Sequence, residues 1–485
     1  MFGSLVGFVF VTASSVFLSR YFNKTDYGTF KQVTFTYSTL LAVFTLGLPK
    51  AYSFFLPRVP KSQAKDVISK INNILIACGI FFSLVIFFGS DLIAMFLKNA
   101  ALGSLLKWFS LVPLFMLPTM GLEGILATYQ KTKILAFYNI ATKCLLFLCI
   151  TLPVILFNGG VKHAIIGFTV ASFMSFVIAM ILKNLPVKNE VKKISKYTYT
   201  DLFRYSLPIM LASIWGMIIA STDQFMISRY FGTEVFAEFS NGAMKIPFVG
   251  MIIGAISIVL APVYSTLASN NSLTSKKEIF RLLKSVFEKS IKLVFPIVTF
   301  FFCFSDIIMV VLYGDKYQIS GDFFAIKLIS NYFTLLTFTA LILSIGGQKY
   351  YYKVHMYGAL LLILFEYISI HVINSPFAIV WISILFQISK TFILLNFISK
   401  YLEVRLIDFF PLKIILNILP ICFLISFGIR YILEKSFTIN HISLLLVTFI
   451  LYIFFFALWS HYIKLDYYSI VKPMLNKFNK NNVQE

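Results

Sequence analysis

The sequence predicts an all-α integral membrane protein of about fourteen transmembrane helices. Hydrophobic residues make up 59% of its 485 residues and charged residues only 13%, about half the share found in soluble domains. The mean hydropathy is +0.86. A helix that crosses a bilayer needs about 20 apolar residues, and stretches of about that length follow one another with short connections. This composition excludes a soluble enzyme, a disordered protein and a disulfide-rich secreted domain.

Fourteen apolar stretches, called predicted spans 1 to 14, account for most of the chain. Many contain Gly or Pro, which membrane helices tolerate because neighbouring helices satisfy the freed backbone groups. In order, they fall at residues 2–19, 33–56, 72–96, 106–128, 134–157, 161–182, 204–227, 237–266, 288–313, 323–346, 354–373, 376–399, 412–432 and 441–463.

The positive charge follows the predicted topology. The net charge is +22, which in a soluble protein would suggest nucleic acid binding. Instead, the connections after even-numbered spans and the C-terminal tail hold more than twice as many Lys and Arg residues as those after odd-numbered spans. Cytoplasmic loops carry such an excess. We therefore expect both termini in the cytoplasm and no nucleic acid partner.

An internal repeat divides the predicted spans into two sets. Ser19-Arg20-Tyr21-Phe22 recurs 209 residues later as Ser228-Arg229-Tyr230-Phe231, and Tyr52-Ser53 has a counterpart in Tyr264-Ser265. Six spans separate the copies, and an even number restores the orientation, so the repeat is parallel about an axis along the membrane normal.

The repeat predicts two six-helix lobes facing each other across a central cavity, with two extra C-terminal helices. The predicted boundaries are an N-lobe at 1–183, a basic cytoplasmic linker at 184–203, a C-lobe at 204–400, and helices 13 and 14 with a basic tail at 401–485.

Six charged residues remain inside the predicted spans. A charge at the bilayer centre costs about 2.5–3.5 kcal/mol on insertion scales, so each needs a reason. Four are basic and two are acidic, which leaves the interior positive and suits an anionic substrate such as a phosphate. They are Lys50, Lys143, Lys245, Lys390, Glu123 and Glu366.

Some of these charges also have structural explanations. Lys50 is near the cytoplasmic end of its span and can reach the interface, whereas Lys143 lies near the middle of span 5. Lys390 can pair with Glu366 as structural glue. Glu123 lies between two glycines that allow close helix approach, so it can pair with a lysine or take up a proton or sodium ion.

Three further charges bracket the outer ends of the first span of each lobe. Asp223 and Arg229 flank the end of span 7, and Arg20 takes the equivalent place on span 1. Solvation at the interface is the structural alternative for these residues. Charge pairing or coupling is the functional interpretation of Glu123, Asp223, Arg229, Glu366 and Lys390.

Two segments resemble the multidrug/oligosaccharidyl-lipid/polysaccharide flippase superfamily, in particular its polysaccharide-exporter branch. The segment from Leu18 to Phe30 resembles the motif after the family's first helix, although Asn23 replaces its usual Gly. The segment Asp223–Pro247 resembles the second-half motif, with Ala237 in place of Gly.

The resemblance implies a flippase, and not an enzyme. It would move an undecaprenyl-diphosphate-linked oligosaccharide, such as an O-antigen or capsule repeat unit, across the bacterial cytoplasmic membrane by alternating access. Carried over by position, Arg20, Asp223 and Lys245 are candidate site residues. With Lys50 and Lys143, Arg20 and Lys245 would form a cationic site for the diphosphate. Sodium or proton coupling, a polysaccharide polymerase and a chain-length regulator are the implied coupling and partners.

Three alternatives stay open at this stage. A cation-coupled drug antiporter of the same superfamily typically has twelve helices and acidic cation sites. A membrane glycosyltransferase or polysaccharide polymerase generally needs a large loop or catalytic domain, for which the short connections leave little room. A membrane scaffold leaves the intramembrane charges unexplained. Scattered His and Cys residues and the absence of a phosphate loop predict no metal and no ATP hydrolysis.

Overall fold

The computed structural model describes residues 2–270, 272–335, 338–436, 440–465 and 467. Within these ranges the chain folds into helices joined by turns, as the apolar composition predicts. The α-helices are α1 Phe2–Tyr21, α2 Lys24–Phe44, α3 Pro49–Phe55, α4 Lys61–Phe96, α5 Ala100–Phe109, α6 Leu111–Thr119, α7 Leu122–Thr128, α8 Thr132–Leu156, α9 Val161–Asn184, α10 Tyr199–Tyr230, α11 Gly232–Gly242, α12 Pro247–Asn270, α13 Leu273–Cys303, α14 Ser305–Tyr313, α15 Ser320–Ile329, α16 Thr339–Ser344, α17 Gln348–Val372, α18 Pro376–Leu402, α19 Leu412–Ser436 and α20 His441–Tyr462.

The multi-pass membrane architecture is confirmed, but the count of fourteen spans is not. Among the described residues, eleven helices are long and apolar enough to cross a membrane, or twelve if the bent pair α13 and α14 forms one span. Within α1, the segment Leu5–Tyr21 is apolar but shorter than these spans. Predicted span 10, at 323–346, is divided between α15, a 3₁₀ turn at Ser330–Tyr332 and α16.

Backbone contacts divide the chain into two compact units. Unit 1 comprises Met1–Ser240 and His355–Ile379, and unit 2 comprises Asn241–Val354 and Val380–Glu485. The predicted lobe boundaries at 183 and 204 stay a prediction.

Unit 1 is built around long helices whose apolar side chains meet between them. In it, α1 lies along α8, α8 packs on α9, and α4 packs on α5 and α6. A fully buried cluster around Tyr52, Ile71, Leu75 and Ile125 joins α3, α4 and α7. Between membrane helices, such a cluster stabilises the fold through van der Waals packing.

Two predicted spans of unit 1 are each divided into two helices. Span 2 breaks between α2 and α3, where Leu46 and Gly47 have positive φ. Span 4 breaks between α6 and α7, where Gly121 has a φ of +80°. Irregular backbone at membrane depth is tolerated where it is buried in protein or lines a cavity.

The predicted linker at 184–203 is held against α4. The backbone N–H and the hydroxyl of Ser195 donate to the same Asp66 oxygen at 3.0 and 2.9 Å. Lys70 also pairs with Asp66, at 2.7 Å, and Asp66 is only 6% exposed. The linker is therefore docked, whereas a long, basic and polar linker of this kind is expected to be solvated.

Unit 2 is organised by the long amphipathic helix α13. Its buried residues Ile279, Leu283 and Phe287 share a cluster with Leu395 and Phe409. The helix axis bends by 71° between α13 and α14. At this bend, the Arg430 guanidinium from α19 binds a backbone carbonyl and an acidic side chain. It donates to the Cys303 carbonyl at 2.7 Å and makes a two-pronged pair with Asp306 at 2.9 and 2.7 Å.

Candidate functional site

The two copies of the repeated motif meet at equivalent positions in unit 1. The Thr25 hydroxyl donates to Glu234 Oε1 at 2.8 Å, and these residues are 209 positions apart, which is the repeat offset. Beside this contact, Lys24 Nζ lies 2.5 Å from Glu238 Oε1. The start of α2 thus pairs with α11, and Thr25 and Glu234 occupy equivalent positions of the repeat.

The contact is close because one residue of α2 is a glycine. A Cβ added at Gly28 would lie 2.2 Å from the Thr233 carbonyl oxygen and 2.7 Å from its methyl carbon. Further along, the rings of Phe35 and Phe236 meet edge to face at 5.7 Å. Gly28 therefore sets how closely the two motif copies approach.

A polar network continues beneath the motif pair. The Gln32 side chain, which is fully buried, donates to the Ser228 hydroxyl at 2.8 Å. Asn99 then donates to Gln32 Oε1 at 2.6 Å and to the Thr29 hydroxyl at 2.9 Å. Buried polar groups need such partners, so this network links α2, α10 and the start of α5.

The motif charges have different surroundings. Arg20 is exposed at the end of α1. The Arg229 guanidinium donates to the Phe96 carbonyl at the end of α4 and lies over the Phe96 and Tyr230 rings. Asp223, in α10, is buried at 3% exposure and accepts from the Gln224 N–H at 2.8 Å.

Three of the predicted intramembrane charges lie on α3, α7 and α8 of unit 1. Lys50 and Glu123 are exposed and lie on the short helices α3 and α7, directly after the two interruptions. Lys143 is half-buried on α8, where an added Cβ on Gly7 would stand 3.3 Å from its Cγ. Among the described residues, none of these three takes part in an ion pair.

The other three intramembrane charges lie later in the chain. Lys245 is exposed and lies in the turn between α11 and α12, so predicted span 8 is also interrupted, because Pro247 begins a new helix there. Glu366 is fully buried in α17, and Lys390 is half-buried in α18. The pairing of Glu366 with Lys390 stays a prediction.

Sequence reasoning missed two lysines inside the helical bundle of unit 1. The sequence places Lys31 in the connection after predicted span 1. In the structure it lies in α2 and donates to the Ser15 hydroxyl of α1 at 3.2 Å. Lys183, counted at the edge of the linker, is fully buried near the end of α9. Both stand at the ends of apolar runs, where sequence gives the same signal for a loop lysine and a buried one.

Unit 1 also contains an apolar cavity of about 410 Å³. Its walls come from α2, α4, α10 and α17, and hydroxyls such as that of Thr36 are their polar groups. It has no charged side chain among its lining residues, so it is distinct from the predicted cationic site and suits an apolar occupant. Throughout the part of the chain that is described, no three His, Cys, Asp or Glu side chains are grouped to hold a metal ion.

The interrupted spans, the paired motif and the helical bundle together define a class of multi-pass membrane protein, and several solved membrane proteins have a similar fold. A structure titled lipid II flippase MurJ in an inward closed conformation matches with a TM-score of 0.69 at 15% identity, over 95% of this chain and 98% of that one. An inward-facing multidrug resistance MATE family transporter matches with a TM-score of 0.64 at 14% identity, over 82% and 94%. A MOP superfamily transporter from Pyrococcus furiosus matches with a TM-score of 0.59 at 16% identity, over 83% and 93%.

The sequence comparison is more specific. The family model described as "Polysaccharide biosynthesis protein" matches residues 17–321, so the chain belongs to the polysaccharide biosynthesis protein family. This confirms the resemblance predicted from the motifs. A comparison with curated proteins gives no match.

Proposed function

We propose that the protein is a flippase that moves an undecaprenyl-diphosphate-linked oligosaccharide from the cytoplasmic to the outer leaflet of the bacterial inner membrane. The observation that carries the proposal is a set of three lysines in or between the membrane helices, Lys50, Lys143 and Lys245. Among the described residues, none of the three has a carboxylate partner. The family match over residues 17–321 supports a role in polysaccharide biosynthesis.

The charge balance favours an anionic substrate. An unpaired ammonium in a low-dielectric surrounding attracts phosphate strongly, because two unit charges 4 Å apart interact by about 4 kcal/mol at an effective dielectric constant of 20. Each lysine costs free energy to place in the membrane, and a bound diphosphate offsets part of this cost. Lys31, which donates to a hydroxyl of α1, is a further cation that favours an anionic substrate.

Alternating access supplies the movement. We infer that the motif pair formed by Lys24 and Thr25 with Glu238 and Glu234 closes the outer end of the pathway, and that its separation opens it. The predicted topology puts these connections outside and both termini in the cytoplasm. We further propose that transport is coupled to sodium ions or protons. The translocated oligosaccharide is then delivered to a polysaccharide polymerase with its chain-length regulator.

The first test is made in cells. Depletion of the protein should leave the lipid-linked oligosaccharide in the inner leaflet. The lipid should then be protected from a glycosidase that acts from outside only. The variants K50M, K143M and K245M should each reduce outer-leaflet delivery without changing the amount of protein in the membrane. The matched control is K188M, since Lys188 is an exposed lysine of the linker.

Two results would contradict the proposal. One is normal delivery without the protein in a strain that has no second flippase. The other is an equal effect of the K188M control and the three intramembrane variants, which would remove the evidence for a cationic site.

A cation-coupled drug antiporter is the second candidate function. It is favoured by the structural match to a multidrug resistance MATE family transporter and by the buried acids Asp223 and Glu366. An antiporter should lower the intracellular level of cationic dyes, and D223N should abolish this. Dye efflux that is the same with and without the protein excludes this candidate.

A further inference from the structure

Lys183 occupies an unusual position for a lysine of a membrane helix. Its side chain is fully buried near the end of α9, in the helix Val161–Asn184. An ammonium has three N–H donors, and each has an acceptor here: the Met120 carbonyl at 2.9 Å, the Tyr52 hydroxyl at 3.1 Å and Asn72 Oδ1 at 3.2 Å. The ammonium also lies 4.6 Å from the centroid of the Tyr52 ring.

All three acceptors of Lys183 are neutral. Among the described residues, Lys183 has no ion pair. A buried cation is expensive unless its hydrogen bonds are satisfied, so the arrangement depends on all three acceptors being in place. The Asn72 amide is itself oriented, because its Nδ2 donates to Met180 Sδ at 3.3 Å.

Two of the three acceptors belong to the two interrupted spans. Tyr52 is on α3, and Met120 lies in the interruption between α6 and α7, where its carbonyl is outside the helix. Lys183 therefore connects α3 directly to the start of α7.

The two short helices pack closely where Lys183 joins them. A Cβ on Gly121 would lie 2.2 Å from the Tyr52 ring, and one on Gly124 would lie 2.6 Å from the Ser53 hydroxyl. Small residues permit such approach. The Lys183 ammonium, which comes from α9, donates hydrogen bonds to both sides of this contact.

These helices carry one residue of the proposed substrate site, Lys50, and one residue predicted for charge pairing or coupling, Glu123. Lys50 is the second residue of α3, Glu123 is the second residue of α7, and both are exposed. We infer that Lys183 is a positioning residue for the substrate: its ammonium holds α3 against α7 and thereby sets where Lys50 and Glu123 stand. This inference rests on the proposed function for its readout of transport, although its geometric part does not.

The geometric part is tested by disulfide formation. The cysteine pair S53C and G124C, in a background with the five native cysteines replaced, should cross-link rapidly, because a Cβ at position 124 would lie 2.6 Å from the Ser53 hydroxyl oxygen. K183M should slow cross-linking about tenfold, and Y52F, which removes one of three acceptors, about threefold. K188M should leave the rate unchanged. A rate in K183M and Y52F equal to that of the parent protein overturns the inference.

The functional part is tested by a double-mutant cycle in proteoliposomes containing the lipid-linked oligosaccharide. K183M should raise the apparent KM about tenfold, and adding it to K50M should cause little further loss, because Lys183 acts through Lys50. Combined with K245M, which is on neither short helix, its effect should multiply. Full multiplication with K50M means that Lys183 is only structural, and it overturns the inference.

The outcomes separate the two proposals. If K50M, K143M and K245M all transport normally while K183M still slows cross-linking, the proposed site is wrong and the inference keeps only its geometric part. If K50M fails and K183M transports normally, the proposed function stands and the inference is wrong. Should K183M be poorly expressed, Y52F, which retains the ring, gives the same readouts at smaller amplitude.

Discussion

Replacing Gly28 by alanine should open the outer end of the protein. The added Cβ would stand 2.2 Å from the Thr233 carbonyl oxygen, and a tolerable contact needs about 3.2 Å, so the α2 and α11 backbones must separate by about 1 Å. The Lys24–Glu238 distance of 2.5 Å and the Thr25–Glu234 distance of 2.8 Å would then exceed the usual hydrogen-bond range.

The energetic consequence follows from these distances. Overpacking of this kind typically costs about 1–3 kcal/mol. A penalty of about 2 kcal/mol on the closed form alone changes the ratio of closed to open molecules about 30-fold, since each 1.4 kcal/mol is a factor of ten. A protein that alternates between two states of similar free energy should therefore become mostly open at its outer end.

The assay is labelling of a single cysteine placed at Thr36, which is 6% exposed and lines the apolar cavity of unit 1. In a background without the native cysteines, T36C should react faster with an impermeant maleimide added from outside when G28A is present. The matched control is G216A in α10, because a Cβ there meets nothing within 4 Å. Labelling that is unchanged by G28A, or equally raised by G216A, would refute the reasoning.

Two further predictions concern ion pairs. K24M and E238Q should each raise T36C labelling, but by less than G28A, because Lys24 is 26% exposed. The exchange of K24E with E238K should restore part of the protection. Independent effects of the two changes would argue against a direct pair. R430M should lower the stability of the purified protein in detergent by about 2–3 kcal/mol, since it leaves the Asp306 carboxylate and a backbone carbonyl without their donor. R405M should leave stability almost unchanged, because Arg405 is 83% exposed. Equal thermal unfolding of these two variants would contradict the role given to Arg430.

The long uninterrupted spans could be predicted from the sequence. The predicted span 134–157 is α8 at Thr132–Leu156, and 376–399 is α18 at Pro376–Leu402, because a run of apolar residues this long has few alternatives to a membrane helix. The repeat was equally readable: its offset of 209 relates Thr25 to Glu234, and these residues touch in the structure.

The interruptions were not readable from the same signal. Gly and Pro occur in continuous membrane helices as well as at breaks, so hydropathy did not distinguish α8, which contains Pro153, from span 4, which breaks at Gly121. The consequence for the site is direct, because Lys50, Glu123 and Lys245 all lie next to such breaks.

Lys183 illustrates a second limit of sequence reasoning. Its acceptors Tyr52, Asn72 and Met120 are between 63 and 131 residues away along the chain. No local pattern marks a lysine whose environment is assembled from such distant segments. At the end of an apolar run, it resembles an ordinary cytoplasmic flank.

The most direct test of the central claim is translocation by the purified protein in proteoliposomes. We expect transfer of undecaprenyl-diphosphate oligosaccharide between leaflets, a strong reduction when the diphosphate is replaced by an uncharged linkage, and loss of this preference in the combined variant K50M, K143M and K245M. Transfer that is equally fast for the charged and the uncharged lipid in the unaltered protein would contradict the claim that intramembrane lysines bind an anionic head group.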